Sequence, residues 1–286
     1  MSDWQVQWTS PAGEIIDFDG EAYTVLDGAL GWLLPEYVLT HTLAGGYDWY
    51  LDRVQVQPRE IDFPVLVRAV DRPTLEQKLR DLAKAMCPHN AAEGTLRVTR
   101  ADFLTRMLAG VLLGGLAGSQ GQSAGAYWQK VVLTFKCSDP FWSTESPASV
   151  SFEASAPLLY FPIFPLVMAG GSEFATEEVN NEGDVEAWPV WTIHGPGANI
   201  SLRNLTTGKD LSLSGLTLFA SDTLEIDTRV GYKTITVNGT SMFNYLAASS
   251  SLWSLTPGNN TIRVEISGID PSTTTVMEYY ERYYSL

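Results

Sequence analysis

The sequence predicts a mainly β protein of two domains, the first holding one helix and the second an antiparallel β-sandwich. Three observations predict it. From residue 200 onward, short runs carry an apolar residue at every second position and are closed by Gly, Asn, Asp or Pro, the period of a half-buried strand. One stretch, 71–88, has a helical period instead. Pro147, Pro157, Pro162 and Pro165 crowd between the two regions, where they favour an extended connection. Domains are expected at 1–150 and 151–286, joined across about 146–165. A chain of 286 residues is long enough for two separate cores.

In chain order, "EIIDFDGEAYTVLDG" and "REIDFPVLVRAV" alternate turn residues with short apolar stretches, and Asp-Gly pairs at 19 and 27 mark tight turns between strands. In "DRPTLEQKLRDLAKAMCP", Leu75, Leu79, Leu82 and Met86 fall at i, i+4, i+7 and i+11. That spacing draws one apolar stripe down a helix over about 73–87. Pro73 suits its first turn, Thr74 with Gln77 fits a capping box, and Pro88 ends it. The stripe is expected to pack on the neighbouring sheet. "GTLRVT", "FLTRMLAGVLLGGLAG" and "YWQKVVLTFKCSDPFW" read as strands, the last two flanking a loop at 117–126 like a hairpin. The sandwich is expected from Ile200 and Leu202, Leu211 and Leu213, Leu224 and Ile226, Ile235 and Val237, and Ile262, Val264 and Ile266. The tail "TTTVMEYYERYYSL" alternates as well and is expected to close it.

The bulk numbers remove several function classes. With 45% hydrophobic residues the composition is globular, and no apolar run approaches the roughly 20 residues of a membrane helix. The first basic residue is Arg53, so no secretory signal is expected and folding should be cytosolic. Cys87 and Cys137 are too few for a disulfide scaffold and read as inert thiols. Asn-x-Ser/Thr matches at Asn199, Asn204, Asn238 and Asn259 carry no meaning without a secretory route. No metal site or cofactor is expected, since His41 and His89 lack ligand-spaced partners beyond the isolated Cys87. The net charge of −15 argues against duplex binding. Its distribution is uneven: residues 1–52 carry 9 acids and no bases, 53–136 carry 7 acids and 12 bases, and 137–286 carry 17 acids and 6 bases.

Four constellations invite a chemical reading, and each has a plainer one beside it. "GQSAG" at 121–125 matches a nucleophile elbow around Ser123, but an elbow needs a strand before the serine and a helix after it, whereas here a loop precedes and a strand follows. "LEIDTRVG" places Glu225 and Asp227 on one strand face, resembling laminarinase-like glucanases, yet Arg229 stands where their second Glu would be the proton donor. The plain alternative is a solvated strand edge. His194, Asn199 and Arg203 are the residue types of a galectin sugar site, but the intervening "GPGAN" is turn chemistry and keeps them off one strand face. Trp188, Trp191 and Trp253 are either a carbohydrate platform or core plugs and interface anchors. A carbohydrate-binding or glycoside-active sandwich therefore stands as the alternative function.

The order of parts resembles the distal tail proteins of long-tailed phages, chiefly those of Gram-positive hosts. The resemblance is carried by "IIDFDGEAYTVLDGALGW", "REIDFPVLVRAV" before a single helix, "LTFKCSDPFWST", "NNEGDVEAWPVWTIHGPG", "TLEIDT", "LTPGNNTI" and "ERYYSL", and it spans nearly the full length. It implies a barrel-like N-terminal domain that forms a ring, typically a hexamer, around a DNA channel, and galectin-like C-terminal sandwiches that project outward. It further implies a virion protein of the tail tip, assembled in the host cytoplasm and not enzymatic. The implied partners are the tail tube protein, a tail-tip or tail-associated lysin protein and, for the outer domain, receptor-binding proteins. An acidic channel would let DNA pass without gripping it. Ring closure needs two unlike patches on each copy, and the acidic and basic blocks offer them. Asp17 and Asp19 with Arg53, Arg59 and Arg68 are the candidate contacts. Pairing within one subunit explains the same counts.

Overall fold

A computed structural model describes residues 4–87, 92–102, 104–116, 124–152 and 172–286. The chain divides into two compact units, Met1–Glu145 with Tyr283–Leu286, and Ser146–Arg282.

In the first unit the strands are β1 (Gln5–Thr9), β2 (Ile15–Asp17), β3 (Tyr23–Val25), β4 (Tyr37–Ala44), β5 (Asp48–Val56), β6 (Arg59–Arg68), β7 (Gly94–Thr99), β8 (Thr105–Gly114), β9 (Trp128–Cys137) and β10 (Trp142–Thr144), with helix α1 at Arg72–Met86. The main sheet runs in the order β2-β1-β7-β8-β9-β6-β3, and β10 pairs with β8. Strand β8 pairs with β9 as the hairpin pattern suggested, with Val111 opposite Lys136. On β9 every second residue points inward, through Val131, Leu133, Phe135 and Cys137. Phe63 of β6 stacks on Phe135 at 5.4 Å and 5°, and Trp8 meets the same ring at 4.6 Å.

Helix α1 lays the expected stripe on this core. Leu75, Leu82 and Met86 are buried, Leu79 packs beside them, and the helix lies against β6 and β2. Its cap differs from expectation. Asp71, not Thr74, is the N-cap: its backbone is extended and its carboxylate accepts from the Thr74 amide at 2.8 Å. Hydrogen bonds from the Thr74 side chain and then its amide hold the Asp71 carboxyl below its usual range. The helix starts one residue early, at Arg72, because Pro73 needs no amide partner there. Pro88 and His89 lie outside the described residues. Burial pushes the Cys137 thiol up to about 12, opposed by the nearby Arg59 charge, so it stays protonated.

In the second unit the strands are β11 (Ala148–Phe152), β12 (Ser172–Asn181), β13 (Val190–His194), β14 (Gly197–Asn204), β15 (Lys209–Leu218), β16 (Thr223–Asp227), β17 (Thr234–Val237), β18 (Thr240–Ser241), β19 (Gly258–Ser267) and β20 (Thr274–Tyr279). They form two antiparallel sheets, β11-β20-β13-β16-β17-β18 and β12-β19-β14-β15. Between them lie the alternating residues read from the sequence, with Trp191 and Trp253 at the centre. Two sequence expectations change here. Residues 148–152 are a strand paired with β20, not connection; Pro147 merely precedes it, where a missing amide costs no ladder bond. The tail splits: Thr274–Tyr279 joins the sandwich, whereas Tyr283–Leu286 belongs to the first unit.

Candidate functional site

Among the described residues, the hairpin β4–β5 pairs with no other strand. The Gln57 amide donates to the Glu36 carbonyl at its base, and the ladder climbs from Tyr37 opposite Val56 to Ala44 opposite Asp48. Gly45 and Gly46, both at positive φ, turn the chain at the tip, a conformation that costs glycine nothing. At the usual rise, β4 is about 27 Å long. The hairpin forms a two-stranded sheet by itself. Such a pair is at best marginally stable alone in water.

Register decides what each face shows. A bulge lies between Thr40 and His41, so Leu39 opposes Val54, His41 opposes Leu51 and Leu43 opposes Trp49. Opposed residues share a face. One face therefore carries Tyr37, Leu39, Leu43, Trp49, Leu51, Val54 and Val56 with His41 alone among them. The other carries Val38, Thr40, Thr42, Asp48, Tyr50, Arg53 and Gln55. The apolar face is open: Trp49 is 67% exposed and Leu39 53%. Monomers rarely leave so much contiguous apolar surface in water.

The segment leading into the hairpin adds Leu30, Leu33 and Leu34, all well exposed. Between them Trp32 turns inward and stacks on Trp142 at 5.8 Å and 17°. Leu30 exchanges backbone bonds with Asp62. Gly31 has φ +83, and a Cβ there would lie 2.0 Å from the Glu60 carbonyl oxygen. Gly31→Ala is expected to cost about 1–3 kcal/mol, read by denaturant unfolding; an unchanged midpoint would show that the loop is not held this closely.

The charged residues named from the sequence fare unevenly. Asp17 is exposed and accepts from the Gln7 amide group at 2.7 Å. Asp19 and Arg68 are exposed. Arg53 stands on the polar face of the hairpin. Arg59 requires a correction: it is 1% exposed and offers a neighbour nothing. Its Nε donates to the Pro140 carbonyl at 2.6 Å, its Nη1 to Gly31 and Leu33 at 2.9 and 3.2 Å, and its Nη2 to Tyr284 at 2.6 Å. Burial lowers this guanidinium to about 10, so it remains charged at neutral pH. Pairing inside the subunit between the two charge blocks is represented by Lys84 and Glu14, 3.8 Å apart.

The chemical constellations are not assembled into an active site. Ser123 lies outside the described residues. Glu225 and Asp227 do share the outer face of β16, but Arg229 grips Asp227 with its Nε and Nη2 at 2.7–3.1 Å, and these bonds raise the Arg229 pKa. The Arg229 guanidinium thus occupies Asp227, and it stands where a second Glu would be the proton donor. His194 ends β13 in one sheet and bonds Thr223. Asn199 and Arg203 lie on β14 in the other sheet, where Asn199 bonds Gly215 and Arg203 bonds Asp210. Trp191 and Trp253 are buried, edge to face at 5.8 Å, and the Trp253 indole donates to the Leu202 carbonyl. Trp188 is half-buried under Lys233. Asn204 is fully buried, and Asn199 and Asn238 hold left-handed turns, so asparagine serves the backbone here. Trp253→Phe is expected to lose about 1–3 kcal/mol of stability through the orphaned carbonyl and the smaller ring. A melt equal to that of the unmodified protein would contradict the core role.

Among the described residues, no group of three His, Cys, Asp or Glu could hold a metal ion. No helix among them is long and apolar enough to cross a membrane.

Comparison with known proteins fits this architecture. The chain has the fold of a phage tail hub protein. It superposes on the Dit (gp 19.1) protein of SPP1, a paradigm of the hub adsorption apparatus in phages infecting Gram-positive hosts, with TM-score 0.68, 15% identity and 98% of each chain covered. It also superposes on a chain of the phage P2 baseplate in its activated conformation with Ca, with TM-score 0.53, 11% identity, and 94% and 99% covered. By sequence, residues 182–283 match the family model of the siphovirus-type tail component, C-terminal domain. No curated protein matches its sequence.

Proposed function

We propose that this chain is a distal tail protein whose N-terminal units close into a ring, a hexamer in the family it resembles, between the tail tube and the tail-tip proteins. The observation that carries the reading is the hairpin β4–β5, with one open apolar face and one polar face. An apolar face of this size needs a cover, and a copy of the same chain can supply it. Each copy then gives its hairpin to the next and receives one elsewhere on its surface. Such unlike contacts repeat around an axis and close into a ring. The polar face is left for the channel, where Asp48 is exposed, and the chain's net charge of −15 repels passing phosphates. The C-terminal sandwich serves as an attachment site for further tail proteins. Chemistry on substrates is left to other molecules, because each catalytic constellation lacks a member.

The test is direct. The purified chain is expected to give an annulus in negative-stain micrographs and a multiple of 31.4 kDa by light scattering. A particle of one subunit at every concentration and at low salt would overturn the ring.

A further inference from the structure

The second unit is an insertion in the first. The first unit consists of Met1–Glu145 and then, after all of Ser146–Arg282, of Tyr283–Leu286. The returning segment is firmly anchored. A last short strand, β21 (Arg282–Tyr283), pairs with β10, and Tyr283 and Leu286 pack against the core of the first unit. Arg59 donates to the Tyr284 carbonyl at 2.6 Å, and Arg100 donates to the Leu286 carbonyl at 3.1 Å. The guanidinium of Arg106, itself 8% exposed, lies 3.6 Å from the centre of the Tyr283 ring. Among the described residues its Nε has no hydrogen-bond partner, so the ring is a main compensation for its burial. Desolvated cation–ring contacts of this kind are among the stronger ones. Phe141 closes over Tyr284 edge to face at 5.8 Å.

So short a segment reaches its anchors only if the chain brings it back to them, and strand pairing inside the sandwich does this. The entering strand β11 and the leaving strand β20 are neighbours in one sheet, with Ala148 opposite Tyr279. Residues 145–147 and 280–281 alone separate that pair from the pair β10 and β21. A folded sandwich therefore returns the chain beside the point where it left, as insertions with neighbouring ends do. With the sandwich unfolded, the same stretch becomes a long disordered loop, and the cost of closing it rises as three halves of RT times the logarithm of its length. Compared with a short turn, that loop weakens docking of Tyr283–Leu286 by about a hundredfold.

We propose that Tyr283–Leu286 is a strap and the sandwich its clip: the strap closes the first unit on condition that Ser146–Arg282 is folded, and the stability of the two units is coupled through the two places where the chain crosses between them. Each unit has its own core, so the coupling resides in the strap and not in shared packing. Coupling of this kind is reciprocal. If a folded sandwich favours the docked strap, the docked strap favours the folded sandwich by the same factor. A chain whose sandwich has opened loses the strap, and Arg59, Arg100 and Arg106 lose their partners on it together.

Reciprocity supplies the test, because the effect is read in the unit that is left unaltered. Arg100→Met with Arg106→Met weakens two anchors of the strap and changes no residue of Ser146–Arg282. Tyr283→Ala with Leu286→Ala weakens them from the side of the strap, and it keeps the test decisive if the arginine variant does not fold in its first unit. Val67→Ala serves as the comparison: it removes buried carbon from β6 at the end of that strand away from Arg59. Hydrogen exchange of the full chain is followed at sandwich amides such as Trp191, which exchange when the sandwich opens. In both strap variants they are expected to exchange about tenfold faster than in the native chain, because a weakened strap forfeits part of the hundredfold closure advantage. In Val67→Ala they should keep their native rates. Native rates at Trp191 in either strap variant overturn the proposal. So does an equal acceleration in Val67→Ala, which would show that the units are coupled by something other than the strap.

Discussion

Replacing Leu39 and Leu51 by Asp is expected to abolish the ring and leave both units folded. The two residues lie on the apolar hairpin face, opposite Val54 and His41, and each is at least half exposed in the single chain. In the monomer the new carboxylates stay in water, so stability should move by no more than about 0.5 kcal/mol. In the ring each would be buried against apolar surface without a partner. Even partial desolvation costs roughly 4 kcal/mol per contact, about a thousandfold in association. The mirror experiment uses the other face. Thr40→Asp with Thr42→Asp alters residues that register places opposite Arg53 and Tyr50, and rings should survive because that face remains wet. Light scattering separates the two. Rings that persist in the Leu39 and Leu51 variant, or vanish only in the Thr40 and Thr42 variant, would assign the wrong face to the neighbour.

Much of the second unit was legible because a sandwich buries one face of every strand. Ile200, Leu202, Leu224, Ile226 and Val264 could be assigned to a core from period alone, and a wrong register would have turned all of them outward. The α1 stripe was legible for the same reason at a different period. What escaped is instructive. "YVLTHTLAGGYDWYLDRVQV" contains its own turn, Gly45-Gly46, and apolar residues on one face, yet its alternation is that of any half-buried strand. Nothing in one sequence says whether the covering face belongs to the same chain or to a copy. The expected connection at 146–165 gives way to strand β11 at its start, since Pro147 sits just before that strand, whereas Pro157, Pro162 and Pro165 lie outside the described residues. The galectin-type residues failed for a topological reason that turn chemistry did foreshadow: the chain changes sheet between His194 and Asn199.

Arg59 was placed on the surface because bases usually are, and its burial depends on carbonyls at 31, 33, 140 and 284 that no local pattern brings together. That geometry sets the second large expectation. Arg59→Met keeps most of the volume and the apolar contact with Trp142, whose ring lies 5.9 Å from the guanidinium. Exchanging buried ion pairs for apolar groups is often harmless because both charges leave together. Here the acceptors are main-chain oxygens, and they cannot leave. Each carbonyl that water cannot reach loses about 1–3 kcal/mol, so the substitution should cost on the order of 3–5 kcal/mol even if one or two regain solvent. Arg59→Lys retains the charge but not the planar fork that reaches three segments at once, and should cost about half as much. Denaturant unfolding of the two variants provides the comparison. If Met and Lys prove equally stable, or if Met matches the native chain, the four bonds are not what holds the loop, the Pro140 corner and Tyr284 together.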